Sequence, residues 1–157
     1  MTLAIKRITI KDDICNFMVK RAEKYLMLTL CKLYGVSEEY YNAEHFVKNK
    51  NLKVDREIDF YLKNNGNKYK CEVKLMGQGN PESADAIIAR DSDLFVADTL
   101  SQQNKDQCDE RDICWVACRD NNGFKRIKLA FEKFGIPYTD YNGNLDNDLP
   151  LILKELF

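Results

Sequence analysis

Two strand-like runs joined by the dipeptide Asn65-Gly66 constrain the fold more than any other feature of the sequence. Asn-Gly favours a two-residue hairpin turn, because both central positions of that turn need a positive φ. Side chains alternate between the two faces of a strand, so each run has an apolar face and a face that carries charge. The apolar faces are Ile58, Phe60 and Leu62 in the first run, and Cys71, Val73 and Leu75 in the second. The sequence therefore predicts an antiparallel hairpin that lays one face against a core.

A long amphipathic helix is predicted before the hairpin, from about Asp12 to Tyr34, with Gly35 ending it. Its predicted apolar stripe is Cys15, Val19, Ala22, Leu26, Leu30 and Leu33, and its basic arc is Lys20, Arg21, Lys24 and Lys32. Glu23 falls within the apolar stripe, where a carboxylate is costly to bury unless another group pairs with it. A salt bridge at the edge of the helix is the structural alternative for this residue.

The remaining chain alternates between helical and strand-like segments. Asn80 and Pro81 are typical of a helix N-terminus, and that helix should run to about Arg90. Residues 93–97 predict a buried strand, 112–118 a central strand with Trp115 in the core, and 124–134 an amphipathic helix. Residues 101–110 form a polar stretch for which a helix is one alternative. The apolar tail LPLILKELF should form a helix or strand that packs on the core. This order predicts an α/β domain with a mixed central β-sheet flanked by helices.

Length and charge narrow the classes of protein. The 157 residues suit one domain, here residues 1–157, which is either a whole enzyme or part of a longer one. The formal net charge of −1 argues against binding nucleic acid by bulk positive charge, although the basic residues are clustered. The clusters are Lys48, Lys50 and Lys53; Lys68, Lys70 and Lys74; and Lys125, Arg126 and Lys128. No apolar run long enough to span a membrane and no signal peptide is seen, so we expect a cytoplasmic protein without membrane contact.

Six cysteines accompany a single histidine, His45. Without a secretory signal, they indicate reduced thiols and no disulfide framework. Cys114 and Cys118 should share one side of a strand, with Cys108 nearby, but a zinc site would need a fourth ligand that the sequence does not supply. His45 is more typical of a surface or half-buried position than of a catalytic base.

Asp59, Glu72 and Lys74 form the constellation that can carry chemistry. Antiparallel pairing across the Asn65-Gly66 turn can bring the two carboxylates together, where a divalent cation relieves their repulsion. Mg²⁺ favours one or two carboxylates, several waters and a phosphate oxygen. Lys74 projects from the same face as Glu72 and can stabilise charge on a phosphate. The alternative is an ordinary solvated strand face, for which Glu-Val-Lys is a common pattern.

This constellation resembles the PD-(D/E)XK nuclease superfamily. Glu23, Asp59, Glu72 and Lys74 match the family's positions in order, although Ile58 stands where a proline often precedes the aspartate. The resemblance implies that all four are catalytic residues, with Asp59 and Glu72 as metal ligands and Mg²⁺ as the cofactor. It covers the order of elements from about residue 12 to residue 119.

More narrowly, residues 71–101 resemble type II restriction endonucleases of the CfrBI kind, in the stretch CEVKLMGQGNPESADAIIARDSDLFVADTLS. That resemblance implies a homodimer that cuts double-stranded DNA at a short palindromic site, with a cognate DNA methyltransferase in the same system. It also places near the DNA the polar residues that follow Lys74, namely Gln78, Asn80, Glu82, Ser83 and Asp85. Such side chains can read base edges. Lys48, Lys50 and Lys53, and the cluster at 125–128, would then contact phosphates.

Other functions stay open on the sequence alone. A junction resolvase or repair nuclease could use the same chemistry on a structured substrate. A non-catalytic DNA-binding domain with the same fold would not need the four residues to converge. Helix capping by Asn80 and a solvated turn explain the post-hairpin segment without DNA.

Overall fold

A computed structural model describes residues 22–42, 60–75 and 91–156 of the chain. Its helices are α1 (22–33), α2 (Gln102–Glu110), α3 (Ile127–Phe134) and α4 (Leu145–Leu156), with short 3-10 helices at Glu38–Tyr40 and Gly123–Arg126. Its strands are β1 (Tyr41–Asn42), β2 (Phe60–Asn64), β3 (Asn67–Lys74), β4 (Leu94–Ala97) and β5 (Cys114–Ala117). The predicted helix at 80–90 lies outside the described residues.

The hairpin forms as the turn chemistry predicts. Strands β2 and β3 pair antiparallel from Phe60 opposite Cys71 to Asn64 opposite Asn67. Asn65 and Gly66 bridge them with φ of 49° and 81°, the positive values that a two-residue turn of this kind needs. The register puts Phe60, Leu62, Cys71 and Val73 in the core, which confirms the predicted apolar face for these four residues. Leu75 follows the strand and is 38% exposed, so its predicted burial is wrong, and Ile58 lies outside the described residues.

The sheet is mixed and has the order β1-β2-β3-β4-β5. Its first two pairings are antiparallel, and β3, β4 and β5 are parallel. Among the described residues β5 therefore lies at the end of the sheet, and its prediction as a central strand is wrong. Its residues are apolar because helices cover both faces of the sheet. That burial does not require a neighbouring strand on each side of β5.

Two cores lie on opposite faces of the sheet. The first packs α1 and α3 against alternate strand residues, including Leu62, Val73, Val96 and Val116. The second is smaller and packs Leu100 and Cys108 against Phe95, Ala97 and Ala117. Because neighbouring strand residues face opposite ways, the continuous apolar run of β4 is divided between the two cores. The predicted α/β architecture, a mixed sheet flanked by helices, is confirmed.

Helix α1 buries a face that differs from the predicted stripe. Ala22 is exposed and Leu26 and Leu33 are half-buried. The buried residues are Glu23, Met27, Thr29, Leu30 and Cys31, followed by Tyr34 just after the helix. The ring of Tyr34 lies edge-on to those of Phe131 and Tyr138. The face that packs against α3 and the segment after it is therefore rotated from the predicted face by less than the angle between two consecutive helical residues. The helix ends before Gly35, which adopts a φ of 59° as its predicted role requires.

Helices α2 and α4 are less buried than α3. Ser101 caps the start of α2, and its hydroxyl accepts a hydrogen bond from the backbone N–H of Asn104 at 3.2 Å. The tail is helical, but α4 buries no described residue fully and Leu151 is 64% exposed, so its predicted packing on the core is wrong. Among the described helices, none combines the length and apolar character that crossing a bilayer requires.

The cysteines of the second half divide between the two cores. Cys114 and Cys118 pack against the first core, on one side of the sheet as predicted. Cys108 belongs to the second core on the other side. Within the described part of the chain, no three His, Cys, Asp or Glu side chains form a group that could hold a metal ion.

Candidate active site

The carboxyl ends of β3, β4 and β5 meet at one edge of the sheet, because the three strands are parallel and in register. In open α/β sheets this edge is the usual place for a ligand, since the strand ends and the loops that follow them leave a crevice there. We call it the carboxyl edge and define it by Lys74, Asp98 and Arg119, which lie at or just after the ends of the three strands.

Glu72 and Lys74 occupy the same face of β3, two residues apart. Their strand partners on β4 are Phe95 and Ala97, which belong to the second core. Glu72 is only 5% exposed, and its Oε1 lies 3.6 Å from Nζ of the half-buried Lys74. A buried carboxylate needs such a partner, since removing it from water is costly. The structure thus brings this predicted pair together near the end of the strand.

Glu23 reaches the same strand end from α1. It is 4% exposed, and its Oε1 accepts a hydrogen bond of 3.1 Å from the backbone N–H of Leu75. Leu75 directly follows Lys74, so the contact ties the first helix to the last residue of β3. The predicted burial of Glu23 on the helix face is confirmed, and the backbone of β3 supplies one of its hydrogen-bond donors.

Asp98 is a buried carboxylate at this edge that the sequence reasoning missed. It is 8% exposed, and its backbone N–H donates to the carbonyl oxygen of Lys74 at 3.3 Å. Its Oδ2 lies 3.6 Å from Nη2 of Arg119, and burial together with the Asp98 charge raises the pKa of Cys118 to about 11. An acidic residue directly after the apolar strand LFVA is the signal that could have revealed it.

Several predicted site residues lie outside the described residues. They are Asp59, the basic residues Lys48, Lys50 and Lys53, and the post-hairpin residues Gln78, Asn80, Glu82, Ser83 and Asp85. His45 lies outside them as well. Their roles stay predictions.

The donor set at the carboxyl edge fits Mg²⁺ better than a softer metal. Its buried groups are carboxylate and carbonyl oxygens, and the half-buried thiol of Cys118 has a raised pKa that keeps it protonated at neutral pH. Mg²⁺ needs only one or two carboxylates because it keeps several waters. A site built on Glu72 and one further carboxylate therefore suits a hard cation.

The helix, the hairpin and the parallel strands together define the restriction-endonuclease-like class of α/β fold, a mixed sheet covered on both faces. The family model for the CfrBI restriction endonuclease matches residues 1–105, which is more than half of the chain. The chain belongs to the CfrBI restriction endonuclease family. No curated protein and no solved structure matches it.

Family membership supports a nuclease role, with DNA as the substrate and a restriction system as the setting. The matched segment contains Glu23, Glu72, Lys74 and Asp98 and ends within α2. Strand β5 and Arg119 lie beyond it.

Proposed function

We propose that this chain is a Mg²⁺-dependent double-stranded DNA endonuclease, and more narrowly a sequence-specific type II restriction enzyme. The observation that carries the proposal is the buried Glu72 with Lys74 beside it, on the middle strand of the sheet and inside the segment that matches the family. A buried acid next to a lysine at the carboxyl edge is suited to holding a cation and a phosphate side by side.

Asp59 is proposed as the second metal ligand. It precedes Phe60, which pairs with Cys71, and the partners of an antiparallel ladder run in opposite directions. One further step of this ladder would set Asp59 opposite Glu72. Two carboxylates on adjacent strands would then share the cation.

The cation, when bound, neutralises charge on the phosphate and lowers the pKa of an attacking water. Lys74 would hold the scissile phosphate, because its side chain is 30% exposed while that of its partner Glu72 is only 6% exposed. Glu23 holds Leu75, and so fixes the backbone that carries Lys74. Without histidine or serine in this set, attack by water is the simplest scheme.

DNA recognition is proposed for the segments that flank the hairpin. Gln78, Asn80, Glu82, Ser83 and Asp85 would read bases, and Lys48, Lys50 and Lys53 would contact phosphates. We further propose that the enzyme is a homodimer acting on both strands, in the cytoplasm and beside a cognate methyltransferase.

The test is cleavage of long, mixed-sequence duplex DNA with Mg²⁺ and with EDTA, comparing the natural chain with Lys74→Met, Glu72→Gln and Asp59→Ala. Each substitution should lower the cleavage rate about 100-fold or more, as loss of one group that stabilises transition-state charge does. Lys68→Met is the matched control, since Lys68 is an exposed lysine near the start of the same strand.

Discrete bands that disappear with EDTA and with the three substitutions would support a sequence-specific enzyme. A metal-dependent smear would instead indicate a nonspecific or structure-selective nuclease. Absence of cutting by the natural chain under every metal and salt condition would contradict the nuclease proposal and favour a non-catalytic DNA-binding domain.

A further inference from the structure

Arg119 is an exposed cation held in place at the carboxyl edge. Its side chain is 60% exposed, yet its guanidinium lies 3.6 Å from the carboxylate of Asp98, whose side chain is only 11% exposed. Its backbone N–H also donates to the carbonyl oxygen of Asp98 at 2.9 Å. The hydrogen bond fixes the backbone of Arg119, and the Asp98 carboxylate orients its side chain, while most of the side-chain surface faces solvent.

The same aspartate connects Arg119 to the candidate catalytic strand. The backbone N–H of Asp98 donates to the carbonyl oxygen of Lys74, and Ala97, just before Asp98, pairs with Lys74 in the sheet. Lys74, Asp98 and Arg119 thus form a row across the ends of three adjacent parallel strands. Arg119 offsets the burial of the Asp98 carboxylate, yet 60% of its side chain stays exposed and can contact a second anion.

The row is wide enough for its two cations to reach different phosphates of one DNA strand. Adjacent strands lie about 4.8 Å apart, so β3 and β5 are separated by roughly 10 Å. One DNA strand places a phosphate about every 3.4 Å along the helix axis. With Lys74 at the scissile phosphate, Arg119 would meet a different phosphate of the same strand.

We propose that Arg119 binds a DNA phosphate flanking the scissile one, and that Asp98 is a positioning residue that orients its guanidinium. Planar guanidinium groups bind phosphate oxygens through two parallel hydrogen bonds, and a fixed orientation lowers the entropy lost on binding. This inference rests on the proposed nuclease function. It adds a DNA contact from the end of β5, which lies beyond the segment that matches the family.

The first test measures binding without cleavage, by the fluorescence anisotropy of a fluorescein-labelled duplex in EDTA over a series of salt concentrations. Each phosphate contact contributes about 0.9 to the slope of log binding constant against log salt. Arg119→Gln should lower that slope by about this amount and weaken binding. Lys68→Gln, which removes an exposed charge near the opposite end of β3, should leave the slope unchanged.

The second test examines Asp98 through its effect on Arg119. Asp98→Asn should slow cleavage by about tenfold to a hundredfold, as a misplaced contact group does, but should have no further effect in the Arg119→Gln background. Additive losses would contradict the positioning role. Arg119→Lys, which keeps the charge but not the planar group, should restore the salt slope more fully than the cleavage rate.

The outcomes separate this inference from the proposed function. A natural chain that binds and cuts duplex DNA, with an Arg119→Gln variant of equal salt slope, would overturn the inference alone. A natural chain that neither binds nor cuts would overturn both.

Discussion

At the scale of single residues, each buried carboxylate of the carboxyl edge meets a donor. Glu72 meets the ammonium of Lys74, Glu23 meets the backbone N–H of Leu75, and Asp98 meets Arg119. Burial without such donors would cost several kcal/mol, roughly 2–7 for a neutral polar group and more for a charge. The three acids are therefore anchored to β3 and its neighbours, which gives the edge a defined geometry before any ligand binds.

Glu23 offers a test of this anchoring. Glu23→Gln keeps a side-chain oxygen that can accept the Leu75 N–H, whereas Glu23→Ala removes it. We expect the alanine variant to lose about 1 kcal/mol more of the free energy of unfolding than the glutamine variant, the usual net value of one hydrogen bond. Urea denaturation followed by circular dichroism measures the difference. Equal losses in the two variants would show that this hydrogen bond contributes nothing to stability.

At the scale of elements, alanine substitutions at two glycines distinguish the cost of backbone strain from the cost of steric overlap. Gly66 has a φ of 81° and open space where an added Cβ would lie, so Gly66→Ala should cost about 1 kcal/mol through its backbone alone. A Cβ at Gly123 would overlap the carbonyl oxygen of Ala117, so Gly123→Ala must displace the 3-10 helix from β5. We expect a loss of about 3 kcal/mol there. Urea unfolding of both variants gives the order, and a larger loss at Gly66 would contradict it.

Trp115 of β5 is joined to α2 by a hydrogen bond and to the second 3-10 helix by a cation, in addition to its packing in the core. It is half-buried, with the Arg126 guanidinium carbon 3.8 Å from its ring centroid and its indole N–H donating to Asp109 at 2.8 Å. The prediction of a core tryptophan is therefore only partly right. The apolar residues around it in sequence indicate packing against the second core. They cannot reveal that Arg126, later in the chain, stacks on its ring.

Arg126→Met should remove this cation–π contact and lower the free energy of unfolding by about 1 kcal/mol. Because Trp115 is the single tryptophan of the chain, its fluorescence reports on this contact directly. The variant should also change the emission of the folded state. Lys125→Met is the matched control, since Lys125 is an exposed neighbour, and a loss of stability in the control equal to that of Arg126→Met would contradict the role of the stacked guanidinium.

At the scale of the whole molecule, buried thiols make stability depend on alkaline pH. Burial raises the pKa of Cys108 and of Cys118 from 9.0 to about 11, with nearby acids adding to the effect, and it raises the pKa values of Cys31 and Cys71 as well. Above pH 9 the unfolded chain loses these protons first and so binds fewer than the folded chain. Stability should therefore fall as pH rises from about 9 towards 11.

Thermal unfolding between pH 8 and pH 11 measures this loss. Cys108→Ala and Cys118→Ala should each flatten the alkaline fall while lowering stability at pH 8. A melting temperature that stays constant up to pH 11 would show that these thiols do not govern the alkaline limit.

The sequence predicts what depends on neighbouring residues and misses what depends on distant ones. The hairpin follows from Asn65-Gly66, and the buried strand β4 from its apolar run, because turn chemistry and burial leave local patterns. The place of β5 at the end of the described strands and the position of Asp98 beside Lys74 depend on which strands become neighbours across long stretches of chain. The buried side of α1 and the residue after it packs against aromatic residues of α3 and of the chain that follows, and Tyr138 lies more than a hundred residues from Tyr34, which it contacts.

The composition of the first core has a consequence for how this family can vary. Val116, Ile127, Ala130, Phe131 and Phe134 all contribute to that core, and all follow residue 105, where the match to the family ends. The segment that matches the family thus contains only part of this core. Exchange of that segment between relatives would succeed only when the accompanying C-terminal part keeps a complementary volume and shape.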